Sequence, residues 1–292
     1  MKIRDLLNQT NHSYSFEFFP PKKDDGFEEL YKTIGRLKEL NPTFVSVTYG
    51  AGGGTRRKTI DLTAKIKHEI GIEGMAHITC VGATREEIDS VLSEISEKGI
   101  ENVLALRGDP PQGEKVFIPQ EGGCRYANEL VEFIKGRYDF CIGVAGYPEG
   151  HPESPSIQKD MENLKRKVEA GGEFIITQLF FDNNLYFDFL DRAERAGISV
   201  PIIPGIMPIL NLGQVKRFTE MCGASIPKGL MKRLEELQGD EKAVEAYGIE
   251  HATRQCQGLF EGGVPLIHLY TLNRSHAPWE ILKNLGGRDQ VR

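Results

Sequence analysis

The sequence predicts an α/β fold, a (β/α)8 TIM barrel, on three observations. Apolar, β-rich runs bounded by Gly or Pro recur eight times along the 292 residues. Charged segments with a helical period separate these runs, and polar residues fall late in nearly every run. Alternation of strand and helix implies parallel strands with right-handed crossovers, and eight such units match the barrel. A doubly wound open sheet is the alternative, although it more often carries a Gly-rich turn where this chain has PPKKDDG.

The eight predicted strands begin at fairly regular intervals. They start near Ser15, Phe44, Met75, Asn102, Phe140, Phe174, Pro201 and Pro265. The last interval is much longer than the others and holds two further helical segments. One carries Ile226, Leu230, Leu234 and Leu237 at helical spacing, and the other covers Lys242–Phe260. We therefore expect a single domain over residues 1–292, with extra helices inserted between strands seven and eight.

The segments between the strands carry apolar stripes at helical spacing. Residues three or four apart share one face of a helix, so such a stripe packs against the sheet. Stripes follow the first, third and fifth strands, and their members are Phe27, Leu30, Ile34 and Leu37, then Ile88, Val91, Leu92 and Ile95, then Met161, Leu164 and Val168.

Charge and cysteine usage exclude several classes of protein. The chain has 36 Lys and Arg against 42 Asp and Glu, a net charge of −6, so we expect no nucleic-acid partner. The start, MKIRDLLNQ, lacks the apolar core of a signal peptide, and no apolar run is long enough to span a membrane. The five cysteines are odd in number and far apart, which suits reduced thiols in a cytoplasmic protein.

The first predicted strand, SFEFFPPK, carries a lone carboxylate, Glu17. Alternation along a strand places Ser15, Glu17 and Phe19 on one face and Phe16 and Phe18 on the other. An acid at the end of an apolar strand is costly unless it is used, because desolvation disfavours its charged form. The other interpretation is an exposed acid on an edge strand, and this stretch alone does not decide between them.

Polar residues also stand late in most other predicted strands. In a barrel of this kind, the C-terminal ends of different strands supply the catalytic groups. The repetition predicts a site at that end and favours a functional role for Glu17. The residues are Ser46 and Thr48, His77, Arg107 and Asp109, Tyr147 and His151, Gln178, and His268, Tyr270 and Arg274.

Two polar stretches have competing interpretations. Gly50–Arg56, GAGGGTR, lacks the spacing of a phosphate-binding loop and is at least as well explained as a tight turn before a helix. Asp160, Asn163, Arg166 and Lys167 share one helical face, which in most helices is simply solvated. Because this face follows GHPESPS at the mouth of strand five, it also suits a ribose and a diphosphate.

Two further candidates concern a metal site and a stacking surface. His77 and Cys80 are three residues apart on a strand and point to opposite faces, and no other cluster has zinc-like spacing, so we expect no metal. Phe218 stands beside Lys216 and Arg217 after strand seven. It is either a core residue or a ring that stacks on a flat ligand.

Eight motifs, in order along the chain, resemble the methylenetetrahydrofolate reductase family, flavin-dependent enzymes of one-carbon metabolism. They are SFEFFPPK, VTYGAGG, HITC, LALRGDPP, GYPEGHPE, LKRKVEAGGEFIITQLFFDN, PGIMPI and HLYTLNRS. The resemblance covers nearly the whole chain, whose length is similar to that of the bacterial catalytic barrel. It implies a cytoplasmic oxidoreductase of folate metabolism and methionine biosynthesis, with FAD as cofactor, NADH or NADPH as electron donor, and a homo-oligomeric state.

The resemblance also implies roles for individual residues. Those that match positions for folate or the nicotinamide are Gln178, Gln214, Phe218, Tyr270 and Arg274. Those that match FAD-binding positions are Thr48, Tyr49, Ala51, His77, Arg107, Gly108, Asp109, Tyr126, Ala127, Tyr147, His151, Asp160, Asn163, Arg166 and Lys167.

The implied reaction is the reduction of 5,10-methylenetetrahydrofolate to 5-methyltetrahydrofolate, with hydride passed from NAD(P)H through FAD. Glu17 matches the general acid of the family and would protonate N10 of the folate. We expect Phe16, Phe18 and Phe19 to keep this acid protonated at neutral pH, because its anion would be poorly solvated among them. Asp109, as an anion, would stabilise the 5-iminium cation that follows.

Two other classes of protein remain open at this stage. One is a pterin-binding barrel that transfers methyl groups without flavin, and the absence of bound FAD would favour it. The other is a non-catalytic assembly subunit that keeps the fold. The presence of both Glu17 and Asp109 argues against such a subunit.

Overall fold

The computed structural model describes residues 1–9, 11–21, 23–49, 56–110 and 117–286, and within them nine parallel strands form one sheet. The sheet order is β7-β6-β5-β4-β3-β2-β1-β9-β8. The strands are β1 Ser13–Phe18, β2 Val45–Val47, β3 Gly74–Thr79, β4 Asn102–Leu106, β5 Cys141–Gly146, β6 Phe174–Thr177, β7 Ile202–Ile203, β8 Gly205–Ile206 and β9 Leu266–Tyr270.

Pro204 alone separates β7 from β8, so the two short strands occupy one barrel position. β7 pairs with β6, whereas β8 pairs with β9, and β9 in turn pairs with β1. The sheet is therefore a nearly closed barrel with eight strand positions, and the predicted fold class is confirmed. Each predicted strand start lies within two residues of the observed one. The break at Pro204 was not predicted; proline has no N–H to donate to a strand ladder.

Helices surround the barrel and follow its strands. Within the described ranges they are α1 Ile3–Leu7, α2 Gly26–Lys38, α3 Arg56–Lys65, α4 Arg85–Glu97, α5 Ala127–Lys135, α6 Ile157–Glu169, α7 Asn183–Arg195, α8 Leu212–Cys222, α9 Lys228–Glu236, α10 Glu241–Glu261 and α11 His276–Asn284. The chain passes from α3 directly into one π-helical turn, Ile66–Ile70. The predicted inserted helices are confirmed as α9 and α10, which lie between β8 and β9.

Several helices begin where a polar side chain satisfies a free backbone N–H. Thr84 and Glu87 form a capping box at the start of α4. Ser156, Asn211 and Asp240 accept from backbone amides at the starts of α6, α8 and α10. Such caps typically contribute about 1 kcal/mol each, and they set where the helices at the mouth of the barrel begin.

The apolar core has an outer layer and an inner one. Phe16 and Phe18 are fully buried in the outer layer, between the sheet and the helices. The inner layer fills the N-terminal end of the barrel, where Ile3 of α1 packs in a cluster with Met75 and Phe174. This end is closed by apolar side chains, so a polar site inside the barrel is restricted to the C-terminal end.

Two global properties bear on the class of protein. In the described ranges, no helix has the length and apolar character needed to cross a bilayer. All five cysteines are free thiols, and four of them are buried.

Candidate functional site

A cavity of about 410 Å³, here called the inner cavity, opens at the C-terminal ends of the strands. Its walls come from β1 to β6, β9 and the segments that follow them. The structure gathers most of the predicted site residues in these walls. They are Glu17, Thr48, Tyr49, His77, Arg107, Gly108, Asp109, Ala127, Tyr147, His151, Lys167, Gln178 and Tyr270.

Glu17 lies among hydroxyl and imidazole groups inside the barrel. Its Oε2 is 3.5 Å from both Ser46 Oγ and His77 Nε2, and 3.7 Å from His268 Nε2. Ser46 Oγ is 3.3 Å from His268 Nε2, and Ser15 Oγ is 2.7 Å from His268 Nδ1. The register of β1 against β2 and β9 brings these groups together, because Glu17 pairs with Ser46 and Ser15 pairs with His268.

This cluster controls the ionisation of Glu17. Burial raises the pKa of Glu17, but the nearby imidazoles of His268 and His77 and the Ser46 hydroxyl together outweigh burial and hold the pKa below its usual value. Glu17 is therefore an anion at neutral pH in the free protein.

The expectation that aromatic rings keep Glu17 protonated is wrong. Phe16 and Phe18 lie on the other side of the sheet, in the outer core, and Phe19 is 42% exposed. The alternation that points Glu17 inward also points its two neighbours outward. The polarity around the carboxylate comes instead from β2, β3 and β9.

His77 and Thr79, two residues apart on β3, present polar atoms to the inner cavity. They are 5% and 7% exposed. Among the described residues, neither His77 Nε2 nor Thr79 Oγ1 has a hydrogen-bond partner. Burial lowers the pKa of His77 to about 4, so its ring is neutral at pH 7. A buried polar atom without a partner costs roughly 1–3 kcal/mol, which points to a polar ligand in this cavity.

Arg107 lies at the wall of the inner cavity in a fixed orientation. Its Nη1 and Nη2 donate to the two carboxylate oxygens of Glu153 at 2.5 Å and 2.6 Å. The guanidinium carbon also lies 4.8 Å from the ring centroid of Phe117. The hydrogen bonds from Arg107 hold the pKa of Glu153 below its usual value. Glu153 does not line the cavity, so it holds Arg107 from outside.

Gly108 and Asp109 follow β4 at the rim of the inner cavity. Gly108 has φ +87°, a conformation that L side chains rarely adopt, and a Cβ there would come within 2.6 Å of Val81 Cγ1. Glycine is therefore required for this turn, which carries Asp109 to the rim. The Asp109 side chain is exposed, so its charge faces whatever occupies the mouth of the cavity.

On α6, Lys167 reaches the inner cavity from the predicted helical face. Its Nζ donates to the carbonyl oxygen of Ala145 at 2.5 Å. Burial lowers the pKa of Lys167 to about 8, although the nearby Asp160 carboxylate acts in the opposite direction. Burial also raises the pKa of Asp160. Among the described residues Lys167 forms no ion pair, so its buried amine is suited to a ligand that brings negative charge.

Two tyrosines complete the wall as neutral hydrogen-bonding groups. The Tyr270 hydroxyl donates to the carbonyl oxygen of Thr177 at 2.7 Å, and burial raises its pKa. Burial also raises the pKa of Tyr147 to about 12. The Tyr147 ring meets the His151 ring edge-on at 4.7 Å.

A second cavity, here called the outer cleft, lies beside the mouth of the barrel. It has a volume of about 480 Å³. Two predicted substrate residues, Gln214 and Arg274, line it rather than the inner cavity. Its complete lining is Leu210, Asn211, Gly213, Gln214, Arg217, Glu241, Lys242, Glu245 and Arg274.

The remaining predicted residues line neither cavity. Tyr126 is 54% exposed just before α5. Asp160, Asn163 and Arg166 precede Lys167 on α6 and do not line the inner cavity. Phe218 packs, half-buried, against the apolar cluster beneath α8. Ala51 and most of Gly50–Arg56 lie outside the described residues.

Ser46 and His268 were expected at this end of the barrel, whereas Ser15, Thr79 and Glu153 were not among the predicted site residues. Ser15 shares the face of Glu17, and Thr79 shares the face of His77, so alternation along the strand was the available signal. Glu153 carried no such signal, because its importance rests on a contact with Arg107, 46 residues away. In the described residues, no group of three or more His, Cys, Asp or Glu is arranged to hold a metal ion.

Comparison with known proteins identifies the family. The model of the family described as methylenetetrahydrofolate reductase matches residues 2–286. The chain is 42% identical to "Methylenetetrahydrofolate reductase (NADH) 1" of Arabidopsis thaliana, over 100% of this chain and 51% of the relative. It is also 42% identical to "5,10-methylenetetrahydrofolate reductase" of Salmonella typhimurium, over 98% of this chain and 96% of the relative. The chain thus spans about half the length of the plant relative and nearly all of the bacterial one.

A solved structure supports the fold. It is described as an uncharacterized protein from Clostridium thermocellum that binds two copies of 5-methyl-5,6,7,8-tetrahydrofolic acid. It superimposes with a TM-score of 0.65 over 96% of each chain, at 17% sequence identity. At that identity the likeness is one of fold.

Proposed function

The chain belongs to the methylenetetrahydrofolate reductase family, and we propose that it reduces 5,10-methylenetetrahydrofolate to 5-methyltetrahydrofolate with FAD and a reduced nicotinamide nucleotide. The observation that carries this proposal is the inner cavity itself. It places one carboxylate, Glu17, beside two imidazoles, and it also exposes the cationic groups of Arg107 and Lys167. The mouth of the barrel therefore combines a group that can transfer a proton, Glu17, with two cations that can bind an anion, Arg107 and Lys167.

The residues of the inner cavity fit a flavin dinucleotide. His77 and Thr79 supply buried polar atoms that need a partner. Arg107 and Lys167 supply the positive charge that a diphosphate requires, and the exposed Arg166 stands next to Lys167 on α6. When bound, FAD accepts a hydride from the nicotinamide and delivers it to the methylene carbon of the folate.

Glu17 is the group that we assign to protonate N10 of the folate, so that the five-membered ring opens before reduction. The free protein holds Glu17 as an anion, and it must therefore gain a proton when substrate binds. Burial is the largest influence that raises its pKa, and Glu17 is still 20% exposed in the free protein. A pterin ring that displaces the remaining water strengthens this influence and favours proton uptake.

Asp109 is the group that we assign to stabilise the cation formed after ring opening. Its side chain stands at the rim of the inner cavity on the turn that Gly108 permits. A fixed anion close to a developing positive charge lowers the barrier, and removal of one such group typically costs about 10²–10³ in rate. Tyr147 and Tyr270 remain neutral and act as donors.

The donor and the compartment are parts of the same proposal. The Arabidopsis relative is named for NADH, so we take NADH as the donor of this chain. The five free thiols fit the reducing cytoplasm, where disulfides are rare.

The test is the visible spectrum of the purified protein, followed by anaerobic additions. We expect a yellow protein that releases FAD on denaturation, is bleached by NADH, and regains its colour with methylenetetrahydrofolate while 5-methyltetrahydrofolate forms. A colourless protein, or release of FMN in place of FAD, contradicts the proposal. Bleaching by NADPH but not by NADH would overturn the choice of donor alone.

A further inference from the structure

The turn that follows β9 contains two strained residues in succession. Leu272 has φ +51° and Asn273 has φ +57°, in the left-handed region that only glycine adopts freely and asparagine occasionally. Two further non-glycine residues in the described ranges have positive φ, His12 and Asn41, and both precede strands at the opposite end of the barrel. Strained backbone persists only where surrounding contacts hold it, and it is most frequent at functional sites. The contacts of this turn are therefore informative.

The side chain of Asn273 is hydrogen-bonded to the backbone just beyond β1. Its Oδ1 accepts from the N–H of Phe19 at 3.0 Å, and its Nδ2 donates to the carbonyl oxygen of Phe19 at 2.7 Å. A side-chain amide carries the same kinds of donor and acceptor as a peptide group. Asn273 therefore makes with Phe19 the kind of pair that a further residue of β9 would make.

Thr271 adds a second link between the turn and β1. Its Oγ1 donates to the carbonyl oxygen of Glu17 at 2.6 Å and accepts from the N–H of Asn273 at 3.1 Å. The Thr271 side chain is only 1% exposed, so these hydrogen bonds are protected from water. The turn is thus joined to β1 both at Glu17 and two residues later.

These side-chain bonds replace a strand ladder that has come to its end. The ladder between β1 and β9 ends at the pair of Glu17 and Tyr270. Past that pair, the strand pairing of β1 is with β2, through Phe18 and Val47. Pro20 and the proline after it have no N–H to donate. On the β9 side, the turn therefore continues the attachment of β1 where the backbone ladder stops.

We infer that Asn273 is a positioning residue for Glu17: its amide fixes the end of β1 and so keeps the carboxylate beside the hydroxyl and the two imidazoles that surround it. The inference rests on the proposed function, in which Glu17 is the proton donor. A displacement of about 1 Å at a reacting group can cost about 10²-fold in rate. Reduction of the flavin by NADH needs no proton on the folate, so that half-reaction should not depend on Asn273.

The first experiment is anaerobic stopped-flow on the variant Asn273→Gly. Glycine loses the side-chain amide but adopts a positive φ without strain, so the turn should keep its path. The matched control is Asn41→Gly, which replaces the same residue type at φ +55° on the exposed surface at the other end of the barrel. We expect Asn273→Gly to slow reoxidation of the reduced flavin by methylenetetrahydrofolate about 10–100-fold. Flavin reduction should stay close to the wild-type rate, and the control should change neither rate.

A second measurement needs no turnover. NMR of protein labelled at the glutamate carboxyl carbons follows the titration of Glu17, whose signal is assigned by its loss in Glu17→Gln. The titratable groups that face this carboxylate are His77 from β3 and His268 and Tyr270 from β9. The two imidazoles lower the pKa of Glu17. We expect this pKa to rise in Asn273→Gly, because the carboxylate is no longer held beside them, and to stay unchanged in the control.

The outcomes separate the positioning role from the proposed function. An unchanged titration of Glu17 in Asn273→Gly overturns the inference. A lower melting temperature with equal slowing of both half-reactions also overturns it, because that result shows a merely structural role. A wild-type protein that is not reoxidised by methylenetetrahydrofolate contradicts the proposed function, whereas a raised pKa in the variant would still uphold the positioning of Glu17 by Asn273.

Discussion

The imidazoles of His77 and His268 and the hydroxyl of Ser46 surround the carboxylate of Glu17. The Ser15 hydroxyl contacts His268 in turn. Glu17 is therefore an anion in the free protein and is not permanently protonated. Burial pushes its pKa up while the polar cluster pulls it down, and the second influence is stronger in the free protein. A ligand that removes water from the cavity shifts this balance. Under the proposed function, this shift would couple proton uptake by Glu17 to the binding of the folate.

His77 makes the stability of the protein depend on pH. Its pKa is lowered from an ordinary 6.5 to about 4, mainly by burial. The unfolded chain therefore binds a proton between these values while the folded protein does not, so stability falls as the pH drops from about 6.5 to about 4. We expect His77 to contribute about 3 kcal/mol to this loss.

The measurement is urea denaturation at several pH values, with His77→Gln as the comparison. The variant should lose correspondingly less stability across the same window. Equal losses in both proteins would show that the imidazole is not held neutral by burial.

Glu153 is expected to act on cofactor binding through Arg107. Glu153→Gln keeps the shape of the side chain but loses the bidentate, charge-assisted pair that holds the guanidinium over Phe117. We expect FAD affinity to fall about tenfold, the equivalent of ~1.4 kcal/mol. Fluorescence titration of the apoprotein with FAD measures this.

The matched control is Glu162→Gln, which breaks the surface pair with Lys159 at 2.8 Å and should leave affinity unchanged. Tighter FAD binding in Glu153→Gln would mean that Glu153 competes with the cofactor for Arg107.

At the scale of elements, the turn after β4 depends on glycine for two separate reasons. Gly108 and Gly82 both have positive φ, but only at Gly108 does an added Cβ meet neighbours, with Val81 Cγ1 at 2.6 Å. Gly82→Ala should cost about 1 kcal/mol for its conformation alone. Gly108→Ala should cost roughly 1–3 kcal/mol more, because overpacking adds to it.

Thermal unfolding of both variants gives the comparison, and FAD content on purification reports the position of Arg107 and Asp109. Equal destabilisation by the two substitutions would show that the turn yields to the added methyl group.

Local sequence pattern determined most of the elements. The strand starts and the inserted helices α9 and α10 followed from apolar runs, helical spacing and Gly/Pro boundaries. The split of one strand at Pro204 was missed, because the preceding residues read as a continuous β run. The split changes the strand pairing, because β7, before the proline, pairs with β6, whereas β8, after it, pairs with β9.

At the scale of the whole molecule, the sequence indicated which end of the barrel carries the site but not how its groups interact. Ser15 and His268 are 253 residues apart and still form a 2.7 Å contact, because β1 and β9 are neighbours only after the barrel closes. The pKa of Glu17 depends on that closure, and the adjacent phenylalanines suggested the opposite shift. The division of Gln178 and Gln214 between two cavities likewise depends on where α8 and α10 pack.

In the proposed mechanism Glu17 protonates the folate, and the variant Glu17→Gln removes this proton donor. Gln is nearly isosteric and leaves Phe16 and Phe18 in the outer core, but it cannot act as a general acid. Anaerobic stopped-flow should show flavin reduction by NADH at close to the wild-type rate. Reoxidation by methylenetetrahydrofolate should slow by about 10²–10⁴-fold, the usual contribution of one general acid. Reoxidation at the wild-type rate would contradict the assignment of Glu17 and the mechanism built on it.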